Sequence, residues 1–144
     1  MRNSTAATVS LIFFCAGLAF SADKKIIFPP GAKPGGNYSQ GILTGGTLYI
    51  SGQAGEDADG KIPSDFEAEV QRSLDNIGAI LKAAGMSPAD VVIVQVYLTD
   101  AAKFQQMNAV YRTILKIPGR PVSRLVGPGH VEITVTAKEV ANGR

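Results

Sequence analysis

The sequence runs to 144 residues, with 14 Lys and Arg against 12 Asp and Glu, one histidine and one cysteine. So even a charge balance gives no electrostatic footprint for nucleic acid or another polyanion, and one His with one Cys cannot build a disulfide framework or a His/Cys zinc site. The length fits one domain able to bury a core, and no internal repeat, low-complexity tract or linker divides it.

Residues 1–22 differ in composition from everything after them. Arg2 is their only cation, they contain no acid, and an apolar run over residues 6–20 gives way to small residues, the three-part form of a secretory signal. Ala19-Phe20-Ser21 places small residues at the two positions a signal peptidase reads, so cleavage is expected after Ser21. The most apolar part, residues 9–20, is shorter than the roughly 20 residues of a membrane-spanning helix, and the bulky Phe13 and Phe14 before Cys15 argue against lipidation. The expectation is an exported protein, periplasmic or secreted, with residues 1–22 as signal and residues 23–144 as a single domain that has no membrane partner after cleavage. Removing the signal removes Arg2 and Cys15, leaving 13 basic residues against 12 acidic ones and no thiol, which suits an oxidising compartment.

Residues 24–28 read as a first strand, followed by PPGAKPGGN, whose prolines and glycines prevent regular structure. Residues 38–44 and 47–51 form a hairpin about Gly45-Gly46, the two glycines supplying the positive φ angles of a primed turn. A polar, glycine-punctuated loop covers residues 52–63. Ser64-Asp65-Phe66-Glu67 then matches a capping box, in which Ser and Glu satisfy the first free amides reciprocally, so a helix is expected from Ser64. Phe66, Val70, Leu74, Ile77, Ile80, Leu81 and Ala84 recur on one face of it, and Gly85 is the stop. Glu67, Glu69, Arg72, Asp75 and Lys82 fall off that stripe and are assigned to the solvated face.

Residues 91–98, VVIVQVYL, are apolar at nearly every position instead of alternating, a pattern that needs cover on both sheet faces. Two helices on one face leave the other open, and a second copy of the chain is the simplest cover, so an oligomer is expected. Thr99-Asp100 caps a second helix over residues 101–116, with Phe104, Met107, Val110, Tyr111, Ile114 and Leu115 inward. A fifth strand is expected over residues 122–126. In a sixth, residues 131–138, Val131, Ile133, Val135 and Ala137 alternate with Glu132, Thr134, Thr136 and Lys138. His130, in a loop after Gly127-Pro128-Gly129, reads as a solvated side chain, and no metal is expected.

Residues 117–137 carry the candidate chemistry. Arg120 sits in a loop stiffened by Pro118 and Pro121, and Glu132 follows on the last strand. A guanidinium fork holds a planar carboxylate by two parallel charge-assisted hydrogen bonds, and a glutamate nearby can position a water or move a proton. The pair suits a small anionic substrate. By residue type alone, an arginine between prolines is more often simply solvated, and Glu132 either faces solvent or lines a cleft against a neighbouring subunit.

Tyr38-Ser39-Gln40, Ile50-Ser51-Gly52-Gln53, Ala83-Ala84-Gly85, Val96-Tyr97-Leu98-Thr99-Asp100, Met107-Asn108-Ala109-Val110-Tyr111, Pro118-Gly119-Arg120 and Val131-Glu132-Ile133 occur in that order. Together they resemble, over essentially all of residues 23–144, the reactive-intermediate deaminase family, RidA, also called YjgF. The resemblance implies an α+β, chorismate-mutase-like (YjgF-type) fold, a six-stranded mixed sheet with two helices packed on one face, assembled as a homotrimer with clefts between subunits. It also implies deamination of 2-enamino and 2-imino acids such as 2-aminoacrylate to 2-keto acids and ammonia, without metal or organic cofactor. Carried over position by position, Arg120 corresponds to the carboxylate-binding arginine and Glu132 to the glutamate beside the attacking water. Tyr38, Ser51, Gly52 and Asn108 correspond to further cleft residues, with Tyr38 arriving from a neighbouring subunit.

Each of these has a structural alternative: Tyr38 packed under the glycine-rich loop, Ser51 bonded within its strand, Asn108 tied to backbone. The chain departs from the family pattern at Asn37, where proline is common, at Pro121 and Val122 after Arg120, in a shorter connection from Arg120 to Glu132, and in its export signal. Two other readings stay open. One is a non-catalytic trimer that binds a small carboxylate or acts as a chaperone; the other is an endoribonuclease, an activity also attached to the family, against which the near-neutral charge counts.

Overall fold

The computed structural model describes residues 23–32, 37–115, 122–124 and 129–139; the expected signal segment and Arg120 lie outside the described residues. The strands are β1 (Lys25–Ile27), β2 (Gly41–Thr44), β3 (Thr47–Ala54), β4 (Val91–Leu98), β5 (Val122–Arg124) and β6 (Val131–Lys138), and the helices are α1 (Phe66–Ala83) and α2 (Phe104–Ile114). They form one sheet in the order β1-β2-β3-β6-β4-β5. Four of the pairings are antiparallel, and the short β5 joins β4 in parallel. This is the α+β arrangement expected from the sequence, both helices being packed together over one face.

Local chemistry explains most boundaries. Gly45 and Gly46 take φ of 56° and 70°, closing the β2–β3 hairpin at Thr44 and Thr47. β2 begins at Gly41 and not at Tyr38, because the β2–β3 ladder ends at Gly41 and Ile50, just before β3 bulges. β3 is longer than expected and reaches Ala54. In the loop that follows, Asp57 Oδ1 accepts from the amides of Lys61 (2.9 Å) and Asp59 (3.0 Å), and these bonds hold its carboxyl below the usual carboxylate range.

The helix cap differs from the Ser64 box. Asp65 is the N-cap, its Oδ1 accepting from Ala68 N at 2.8 Å, so α1 starts at Phe66. Asp65→Ala is expected to lower stability by about 1 kcal/mol, and Ser64→Ala by less than about 0.5 kcal/mol, in urea denaturation; the opposite ranking would return the cap to Ser64. At the other end Gly85, φ 77°, donates to Lys82 O and Met86 to Leu81 O, the paired bonds of a glycine-terminated helix. Asp100 caps a short 3-10 turn, Ala101–Lys103, that leads into α2.

The core lies between helices and sheet: Leu48, Val70, Leu74, Ile77, Val94, Val96, Met107, Tyr111 and Ile133 are all buried. One expectation fails here. Glu69, assigned to the solvated face, is fully buried, as is Ser73 one turn on. The buried stripe of α1 is wider than its apolar residues because polar groups at its margin find backbone partners, which removes the usual cost of burying them.

β4 is covered on one face only. Val91, Val94, Val96 and Leu98 are buried, while Val92 and Ile93 are exposed where the β4–β6 register slips. On the face away from the helices, Ile26, Ile42, Tyr49, Thr136 and Ile93 succeed one another across five strands. Ile26, Tyr49 and Ile93 are 55%, 52% and 56% exposed, so a single chain leaves a row of large apolar groups in water.

Candidate active site

The bulge in β3 organises the site. Ile50 pairs with Val135, but the next pairing is Gln53 with Ile133, so Ser51 and Gly52 occupy the space of one residue opposite β6. Side chains and loop backbone hold that extra residue in place. Ser51 N and Oγ both donate to Gln40 O, at 3.0 and 3.2 Å. The buried Gln53 amide donates to Ser51 O (3.1 Å), Ser51 Oγ (3.2 Å) and Gly52 O (3.1 Å), and Ser73 Oγ of α1 donates to Gln53 O at 2.7 Å.

The bulge brings Gly52 against Glu132. A Cβ built on Gly52 would overlap the Glu132 carboxylate and lie 2.9 Å from its Cγ, so only glycine lets β3 pass this close. Glu132 is half-buried on the face away from the helices, flanked across β6 by Tyr97 and Ala54. No donor among the described residues bonds its carboxylate. A carboxylate offers about four lone-pair sites, so this acceptor is available to a water or a substrate proton.

Of the residues expected in the site, the structure brings together Ser51, Gly52 and Glu132. The Ser51 hydroxyl donates to Gln40 O, just before β2, and accepts from the Gln53 amide of its own strand. Tyr38 precedes β2 and is 61% exposed; Asn108 is buried on α2, its Oδ1 without a hydrogen-bond partner among the described residues. No described hydrogen bond links either to the other three. Among the described residues, no three His, Cys, Asp or Glu side chains gather to hold a metal.

Two supporting groups escaped the sequence analysis. Gln53 was seen only as part of a motif, and nothing in a single sequence shows that its amide would turn back on its own bulge. The other is a pair. Glu69 Oε1 accepts from His130 N at 2.7 Å and from Val131 N at 3.3 Å, while Oε2 lies 2.7 Å from His130 Nδ1. His130 is thus tied to a buried carboxylate through its ring and its amide, with half of its side chain still exposed. The available signal was position: Glu69 lies three residues after Phe66 and four before Ser73, at the edge of the buried stripe.

A six-stranded sheet backed on one side by two helices, with a glycine bulge against a glutamate that no described donor pairs with, defines a YjgF-type α+β domain. The Endoribonuclease L-PSP family profile matches residues 30–139. RutC family protein SSO3206 of Saccharolobus solfataricus is 42% identical over 124 residues, covering 81% of this chain and 98% of that protein. The 2-iminobutanoate/2-iminopropanoate deaminase of Bos taurus is 41% identical over 109 residues, covering 71% of this chain and 80% of that enzyme. Among solved structures, E. coli TdcF with bound serine superposes with a TM-score of 0.74 at 31% identity, covering 81% of this chain and 99% of that one. The chain belongs to the RidA/YjgF family.

Proposed function

We propose that the protein hydrolyses 2-imino and 2-enamino acids of the 2-iminobutyrate and 2-aminoacrylate type to 2-keto acids and ammonia. The observation that carries this reading is the Glu132 carboxylate, half-buried beside Gly52 with no donor bound to it among the described residues. The likeness to the Bos taurus deaminase supports the substrate class.

In the reaction Arg120 grips the substrate carboxylate, which fixes the electrophilic C=N carbon within reach of a water held by Glu132. Water adds to the protonated imine as Glu132 takes one of its protons, giving the neutral carbinolamine. The same carboxyl returns that proton to nitrogen, the C–N bond breaks, and the second water proton passes from the new carbonyl oxygen to the departing ammonia, so protonated imine plus water becomes keto acid plus ammonium. A protonated imine is activated already, so neither a covalent nucleophile nor a cofactor is called for. Proximity of this kind supplies several kcal/mol of barrier lowering, and each hydrogen bond to the charged carboxylate contributes about 1.5–3 kcal/mol.

Further parts of the proposal are a homotrimer that covers the row of Ile26, Tyr49 and Ile93, with Tyr38 closing a neighbour's cleft and Asn108 contributing to it, and an exported location for residues 23–144. The serine-bound TdcF structure favours a second reading, in which the same cleft holds a small amino or keto acid without turnover.

The test generates 2-iminobutyrate beside purified residues 23–144 and follows keto-acid release, with Arg120→Ala in parallel. Release far above the uncatalysed rate is the expected result, with its enzymatic part reduced at least about 100-fold in the variant. Equal rates with and without wild-type protein would remove the enzyme reading and leave the binding one; equal rates for wild type and variant would remove the role given to Arg120.

A further inference from the structure

We infer that Glu69 is a positioning residue for Glu132, acting through the backbone at the start of β6; this rests on the hydrolase reading above. Glu69 is fully buried, and no described lysine or arginine pairs with it. Such a carboxylate is tolerated only where hydrogen bonds replace water. Its partners here are the amides of His130 and Val131 and the His130 ring. Glu132 is the very next residue.

The placement is part of a longer seam. Glu69, Ser73 and Asn76 stand at i, i+4 and i+7 on α1, so they project from one side of the helix. Ser73 Oγ donates to Gln53 O, and Asn76 Nδ2 donates to Ala54 O (3.1 Å) and Glu56 O (3.0 Å). One helix therefore grips β3 immediately after Gly52 and β6 immediately before Glu132. The turn is also tied to the end of β4, since Thr99 N donates to His130 O at 3.1 Å. Because both grips come from one rigid element, the distance between the bulge and the Glu132 carboxylate is set by α1, and Glu69 is the member of the seam that sets the β6 side.

The test compares Glu69→Leu, which keeps volume but offers no acceptor, with Glu69→Gln, whose Oε1 can still accept from both amides while its Nε2 donates to His130 Nδ1. Expected for Glu69→Leu is a fall in kcat of about 100-fold with KM within about threefold, the size of effect that a misplacement of about 1 Å produces. Glu69→Gln should restore kcat to within about fivefold of wild type. In a Glu132→Gln background, adding Glu69→Leu should lower kcat by less than about threefold, because its effect passes through Glu132. Should Glu69→Leu fail to fold, Glu69→Asp, which withdraws the acceptor by one methylene, is expected to show the same kinetics.

Losses that multiply in the double variant, or a melting temperature that falls while kcat holds, would overturn this role and leave the hydrolase reading standing. An inactive wild type, or a fully active Glu132→Gln single variant, would overturn that reading and the role of Glu69 with it.

Discussion

Glu132→Gln is expected to lower kcat for 2-iminobutyrate hydrolysis by about 10²–10⁴-fold, the range that a positioned general acid or base contributes. Glutamine matches glutamate in shape and can still accept a hydrogen bond from water, but its amide cannot take up the proton that water must lose. Stability should hardly move, because no described donor loses a charged partner when the carboxylate becomes an amide, so the melting temperature is expected within about 2 °C of wild type. The comparison of kcat with melting temperature is the check. Full activity in this variant would take the proton-transfer role from Glu132.

Two alanine substitutions three residues apart should separate function from folding. At Gly52 the new Cβ meets the Glu132 side chain from Cγ to carboxylate and no backbone atom among the nearest, so that side chain can rotate aside and the fold survives at a cost of about 1 kcal/mol. The swing displaces the carboxylate to which the proposal gives the proton transfer, and kcat is expected to fall about 100-fold. At Gly55 the new Cβ would overlap the backbone carbonyl of Glu69 and lie 2.6 Å from its Cγ. A buried helix backbone cannot swing aside, so Gly55→Ala should cost about 3 kcal/mol or more, read as a lowered midpoint in urea denaturation. If Gly52→Ala keeps wild-type kcat, the close approach of bulge and carboxylate has no part in the reaction.

These substitutions also mark where sequence reading stopped. The hairpin was legible because Gly45-Gly46 permits few conformations, and the strand Val131–Lys138 because strict alternation is produced by a sheet with one dry face. Both helices were legible for the corresponding reason at a period of 3.6. Tyr38 was placed in a strand and lies outside it, because strand ends depend on the partner's register, and the β3 bulge shifts that register. Arg120 was singled out by its prolines, but its place falls outside the described residues.

Charge was the poorest guide to burial. Glu69 carries the composition of a surface residue and sits in the interior, because two amides and the His130 ring converge on it from a remote segment of the chain. By itself the sequence determined the elements, their order, the face the last strand turns to the core, and the residue types available for chemistry, since these follow from local spacing and backbone sterics. Only the tertiary structure decided that Gly52 meets Glu132, that Gln53 locks the bulge between them, and that Glu69 is dry. The first and last of those depend on groups remote in sequence arriving within about 3 Å, the distance at which hydrogen bonds and steric exclusion begin to act, and the second on a bulge that forms only against β6.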